Sequence, residues 1–341
     1  MTADAAARAA TTSAPDGPLR CAVVVNPARV EDLEQRRAAV DAALTDAGWP
    51  APEWIETTPD SPGVEQARQA AADGFDVVFA CGGDGTVRSC VEGLVGTSTA
   101  LAILPAGTGN LLATNLGVPQ DPTAGVGLVL ERGRRRIDVG VVAGDDDDDR
   151  DQQDDDGERG SGQAFAVMAG MGFDAAMLDD ADSRLKSRFG PVAYVVSAVK
   201  HLGDRSMHLE ITLDDHPPLR RRARSVVVGN VGRLQAGVRL LEHASPDDGV
   251  VDVAVLAPRN LAHWVRLAWG VVRRHSRVPH LEVHRASRVV VRADREHPRE
   301  LDGDVIDPGR SLVVNVRERS LEPCVPQPER SADLAEGSER L

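Results

Sequence analysis

Along the first 110 residues the hydrophobic positions come in short unbroken runs rather than in alternation. "LRCAVVVNPA" (19–28), "DVVFA" (76–80) and the start of "TALAILPAGTGN" (99–110) each hold an unbroken apolar run. Such runs predict strands covered on both faces, as in a parallel sheet. Helical patterns separate them. Residues 31–47 carry Leu33, Ala39 or Val40, Ala43 and Leu44 at helical spacing, and 63–73 and 85–95 read likewise. "PEWIETT" (52–58) is a further strand. Strands alternating with helices predict an α/β domain with a parallel sheet over 19–137. Beyond residue 136 the pattern changes. "RRRIDVGVVAG" and "GQAFAVMAGMG" read as two strands of a hairpin. "SMHLEITLD", "ARSVVVGNVG", "GVVDVAVLAP", "LEVHRASRVVVRA" and "SLVVNVRE" follow as strands, with helical patches only at 191–202 and 260–275. This predicts a β-rich antiparallel sandwich over 138–318. Residues 1–18 and 319–341 are polar and are expected to be loose.

Composition changes the picture in three places. Aromatic residues are 3% of the 341, so the cores must be built from Val, Leu, Ala and Ile. The four cysteines, Cys21, Cys81, Cys90 and Cys324, show no ligand or redox spacing and read as reduced thiols. The formal charge is −14, yet residues 145–159 alone hold ten acids against two arginines. That run, within a loop over 145–162, reads as a solvated connection between hairpin strands. No nucleic acid is expected as a partner of so acidic a chain. The amino terminus lacks an apolar signal core and no run is long enough to span a bilayer, so a cytoplasmic protein is expected.

The candidate chemistry lies in two glycine-rich turns. "GGDGT" (82–86) and "GTGN" (107–110) each follow a predicted strand of the same sheet. Without Cβ atoms the backbone approaches an anion closely, and a following helix offers free N–H groups and partial positive charge. Both turns would leave the carboxyl edge of a parallel sheet, where ligands bind. No P-loop and no Gly-x-Gly-x-x-Gly motif is present, and no lysine precedes Lys186. Phosphate charge would have to be met by backbone amides, Arg29 or Arg88, and a metal ion. Asp84 would repel a bare phosphate. It fits either by acting through Mg²⁺ and its waters or by holding the turn through backbone amides.

"NP" (26–27), "GGDGTV" (82–87), "LPAGTGN" (104–110), "GMGFDA" (170–175), "FGPVAY" (189–194) and "LDGD" (301–304) occur in that order. The set resembles the diacylglycerol kinase catalytic-domain family, which includes sphingosine kinases and bacterial lipid kinases. The resemblance spans about residues 20–318 and implies an NAD kinase-like two-domain architecture with ATP in the interdomain cleft. It implies nucleotide contacts from Asn26, Arg29, Thr57 or Thr58, Gly82, Gly83, Asp84, Gly85, Thr86, Arg88, Gly107, Thr108 and Asn110. It maps a general base to Asp302, with Asp304 where relatives usually carry glutamate. It implies a structural Mg²⁺ with Asp248 as a ligand in "ASPDDGVVDV" (244–253). Leu111 and Ser245 stand where relatives carry acids. An Asp-Gly hairpin turn is the plain alternative at 302–303.

The activity so implied is phosphoryl transfer from ATP to a lipid hydroxyl at a membrane surface. An NAD kinase-like enzyme, a catalytically idle lipid-binding member and a homodimer remain open. The helix at 260–275 places Leu261, Trp264, Ala268 and Val271 on one face, with Arg266, Arg273 and Arg274 elsewhere. It either packs on the core or touches a bilayer. His280 and His284 lie in a strand-like run rather than at a zinc-binding spacing on a helix.

Overall fold

We describe the protein from a computed structural model covering residues 17–143, 162–172, 206–233, 240–273 and 278–326. The acidic run, residues 173–175 of the "GMGFDA" motif, all of "FGPVAY", and the helix expected at 191–202 lie outside the described residues.

The first half alternates strand and helix. β1 (Cys21–Val25), α1 (Leu33–Asp46), β2 (Glu53–Glu56), α2 (Val64–Ala72), β3 (Val77–Gly82), α3 (Asp84–Leu94) and β4 (Ala100–Pro105) follow in turn. The strands form a parallel sheet in the order β2-β1-β3-β4. Successive residues serve opposite faces. Ala22, Val24, Val78 and Ala80 join one buried cluster, and Cys21, Val23, Val25, Val77, Phe79 and Cys81 join another. That is why β1, β3 and β4 are apolar without alternation.

Two helices follow that the periodicity does not reveal, α4 (Leu111–Asn115) and α5 (Pro122–Leu130). Asp121 accepts a hydrogen bond from Ala124 N–H at 2.8 Å, and Pro122 sits in the first helical turn. An Asp-Pro pair at a helix start is a readable signal. The helix behind it, however, is apolar and glycine-containing all round, so it has no polar face to mark the period.

The second half is antiparallel. β5 (Ile137–Val142), β6 (Gln163–Phe165), β7 (Met168–Gly172), β8 (Met207–Leu213), β9 (Leu219–Ala223), β10 (Ser225–Gly229), β11 (Val251–Leu256), β12 (Leu281–Ala286), β13 (Arg288–Leu301) and β14 (Asp304–Leu321) build one sheet. β5 and β6 form the expected hairpin, but the second strand breaks at residues 166–167 into β6 and β7. α6 (Leu261–Val272) connects β11 to β12. β9, "LRRRA", escapes a hydrophobic reading because three of its five residues are arginine.

One buried cluster joins the halves. It runs from Val78 and Leu94 through Leu111 and Leu112 to Ala166, Met168, Val227 and Ala254. The tail expected to be loose beyond 318 is tied down as far as Val325. Leu101 N–H donates to Glu322 O at 3.0 Å, Cys324 N–H to Leu101 O at 2.7 Å, and Val325 N–H to Gly133 O at 2.9 Å. Three apolar side chains, Leu321, Cys324 and Val325, are buried there. All four cysteines are buried free thiols.

Candidate active site between two glycine turns and an aspartate hairpin

Four strand ends open on one edge of the parallel sheet. Thr57 N–H donates to Val25 O at 2.8 Å and Asn26 N–H to Cys81 O at 3.2 Å. Gly82 pairs with Pro105, and Ala106 N–H donates to Gly82 O at 2.9 Å. Thr57, Asn26 and the two glycine turns therefore line up along the carboxyl edge. Asn26 shapes its own loop, with Oδ1 accepting from Ala28 N–H at 3.1 Å. Arg29, Thr58 and Thr108 are exposed, whereas Thr57 and Thr86 are buried. Thr58 Oγ1 accepts from Ser61 N–H at 3.1 Å, which engages it in its own turn.

The glycines allow the two turns to touch. A Cβ on Gly107 would stand 2.7 Å from the Cα of Gly83, and one on Gly109 would stand 2.5 Å from Asp84 Oδ2. Only backbone fits at that contact.

Asp84 opens α3, and its carboxylate serves the other turn. Oδ2 accepts from Asn110 N–H at 2.9 Å and Oδ1 from Leu111 N–H at 2.5 Å. Those amides start α4, whose own cap residue, Asn110, is left-handed (φ 46°) and makes no side-chain cap. Asp84 thus caps a helix from another segment. Asn110 clamps the second turn, with Oδ1 accepting from Gly107 N–H at 3.1 Å. Its Nδ2 donates to Gly107 O at 2.7 Å and to Gln120 Oε1 at 3.1 Å. Of the two readings of Asp84, bonding to backbone amides is the one the geometry contains. Burial pushes its carboxyl up, against the pull of both amides, and nearby Asp304 adds to the rise.

The β13–β14 hairpin faces this edge. Leu301 pairs with Asp304 across a two-residue turn in which Asp302 has φ 49° and Gly303 φ 93°. Positive φ at both positions is the signature of a type I′ hairpin, so "LDGD" is a hairpin turn as well as a site element. Its two acids point differently. Asp302 is 4% exposed, and its carboxylate accepts from Ala166 N–H at 2.9 Å, Val167 N–H at 2.9 Å and Met168 N–H at 2.8 Å. It pins the break between β6 and β7. Burial pushes its carboxyl up to about 6, although the three amides and Arg88 pull it down.

Asp304 is turned outward, its side chain 43% exposed, and its Oδ2 lies 3.3 Å from Arg88 Nε. A Cβ on Gly85 would stand 3.0 Å from the same oxygen. Arg88 also reaches Glu92 at 3.7 Å. The base expected at Asp302 is therefore a carboxylate closed in by amides, and the acid with an open oxygen beside the glycine turn is Asp304. Sequence spacing does not distinguish them, because which one faces the cleft depends on the face against which the hairpin closes.

The metal expected at Asp248 does not fit its surroundings. The Arg285 guanidinium pairs with Asp248 Oδ2 and lies 3.8 Å from Asp252. Ser245 donates to Asp247 at 2.7 Å, and Arg135 holds Asp247 at 2.7 and 3.0 Å. Arginines supply the positive charge around this turn. Among the described residues no three His, Cys, Asp or Glu side chains converge as a metal cluster. His280 stacks on His263 with ring centroids 3.8 Å apart.

Comparison with known proteins agrees with this layout. A family model described as the diacylglycerol kinase catalytic domain matches residues 20–142. One described as the YegS C-terminal NAD kinase beta sandwich-like domain matches residues 167–322. The chain is 29% identical over 247 residues to a diacylglycerol kinase of Bacillus subtilis, covering 70% of this chain and 74% of that one. It is 30% identical over 306 residues to a Pseudomonas aeruginosa protein named "Probable lipid kinase YegS-like", covering 86% of this chain and 90% of that one. The fold matches a solved diacylglycerol kinase structure from Bacillus anthracis (TM-score 0.64, 18% identity, 90% of this chain and 97% of that one). It also matches yeast NADH kinase (TM-score 0.51, 13% identity, 96% and 91%). The chain belongs to the family of diacylglycerol kinases and YegS-like lipid kinases.

Proposed function

We propose that this protein transfers the γ-phosphate of ATP to a lipid hydroxyl, that of diacylglycerol or a related lipid, in the cleft between its two domains. The observation that carries this reading is the placement of Asp304 against Gly85, beside Arg88 and at the start of α3. The amides that open α3 and the glycine turns suit the phosphates. Asn26, Arg29, Thr57 and Thr108 lie along the same edge and would contact the nucleotide in this reading. Phosphoryl transfer needs an aligned acceptor, neutralised charge and a place for the hydroxyl proton. Asp304, half-exposed in the cleft, takes that proton, and Arg88 orients it. Asp302 fixes the hairpin and the β6–β7 break that present it.

Mg²⁺ usually keeps several waters and one or two carboxylates beside substrate phosphates. Asp84 suits it through water, since each of its oxygens accepts one amide and keeps another lone pair. The ion would arrive with ATP and neutralise phosphate charge. A lipid acceptor implies work at a membrane surface; among the described residues no helix is long and apolar enough to cross one.

The test is transfer of label from γ-labelled ATP to dispersed diacylglycerol, a sphingoid base, total lipid extract and NAD, with products identified by mass. Label in a lipid phosphate is expected. Label in NADP supports the NAD kinase-like alternative, and ATP binding without transfer supports an idle lipid-binding member.

A further inference from the structure

α6 has two faces. Asn260 starts it, with Oδ1 accepting from His263 N–H at 3.0 Å. Inward, Trp264 and Leu267 are buried in the cluster that also holds Leu111 and Leu112 of α4 and Ala166–Met168 at the β6–β7 break. The helix thus sits on the core that supports the cleft. Outward, Val265 is 48% and Trp269 56% exposed, one helical turn apart, and Ala262 is exposed beside them. Among the described residues Trp269 is the only aromatic with large exposed surface. Arg266 and Arg273 are exposed as well, and the Arg273 guanidinium lies 4.5 Å over the Trp269 ring.

The charge around this helix is one-sided. From residue 253 to 281 there is no Asp or Glu, while Arg259, Arg266, Arg273, Arg274 and Arg277 all fall there, in a chain of net charge −14. Arg224 adds to them, its Nε donating to Pro258 O at 3.0 Å just before the helix. An exposed Trp with arginines beside it suits the headgroup layer of an anionic bilayer, where the ring meets the acyl boundary and the guanidinia meet phosphate. A second copy docking the same face through a twofold axis would set arginines against arginines.

We propose that the outer face of α6, centred on Val265, Arg266, Trp269 and Arg273, docks the protein on an anionic lipid bilayer. This rests on the lipid-acceptor reading of the cleft, whose walls share a buried cluster with the inner face of α6. The experiment is vesicle flotation of the full chain without ATP. It uses phosphatidylcholine vesicles with and without phosphatidylglycerol, and compares wild type, Val265→Ser/Trp269→Ala and Arg266→Glu/Arg273→Glu. Wild type should float with the anionic vesicles, less so with neutral ones or at high salt. Each double variant should lose about tenfold or more in partitioning. Both should still phosphorylate a short-chain acceptor dispersed in detergent as wild type does.

The proposal is overturned if the variants float like wild type, if wild type ignores anionic vesicles, or if the variants only abolish a dimer seen by sedimentation. Vesicle binding through α6 in a chain without lipid kinase activity supports docking and removes the kinase reading. Kinase activity on dispersed lipid without flotation does the reverse.

Discussion

Asp84 and Asp302 are alike in one respect: each carboxylate is spent on backbone amides far away in sequence. Asp84 holds amides 26 and 27 residues away, and Asp302 holds three more than 130 residues away. The glycine turn was legible in the sequence because strand, glycines and helix are contiguous. The partners of its acid were not, because strand packing alone brings residues 110–111 alongside. Asp302 also titrates in an unusual window. Its carboxyl rises from 3.8 to about 6, so between those values the folded chain keeps a proton that the unfolded chain has released. Its contribution to stability is full below pH 3.8 and lost as the pH rises through 6, by up to about 3 kcal/mol. Asp302→Asn should flatten that limb of a stability-versus-pH curve from urea unfolding. It should also cost about 1–3 kcal/mol, because the new amide meets a backbone N–H that needs an acceptor. An unchanged slope would show that Asp302 does not titrate in the fold.

At the scale of elements, the site depends on two turns in backbone contact and a hairpin opposite. Gly107→Ala should force the turns apart, since its Cβ would stand 2.7 Å from Gly83 Cα, which cannot swing away as a side chain can. A stability loss of about 1–3 kcal/mol and a weaker nucleotide site are expected, read by urea unfolding and ATP titration. Wild-type ATP affinity in this variant would remove the second turn from the nucleotide site. The β1, β3 and β4 runs and the helices between them were readable because each strand is buried on both faces. α4 was not, since it is five residues long and depends on Asp84 for its cap. β13 and β14 outrun their apolar stretches because pairing, rather than burial, extends them to the Asp302-Gly303 turn.

The whole molecule is held together by a cluster shared between its halves and by a return of the chain. Residues 320–325 come back to the parallel sheet, with Cys324 and Glu322 bonded to Leu101. Polarity suggested a loose end there, but three buried side chains outweigh it. Truncation after Arg319 should therefore lower stability by at least about 3 kcal/mol, from the lost burial of Leu321, Cys324 and Val325. A truncated chain that melts like the full one would refute this. The same closure puts Asp304 of one half against Gly85 of the other, and on that contact the proposed chemistry rests. Its most direct test is single-turnover phosphate transfer to diacylglycerol at saturating ATP and Mg²⁺, for wild type and Asp304→Asn, with ATP affinity measured in parallel. Asp304→Asn should slow transfer about 100-fold or more and leave ATP affinity nearly unchanged. Normal transfer, or a loss explained by weakened ATP binding alone, would contradict the proposed chemistry.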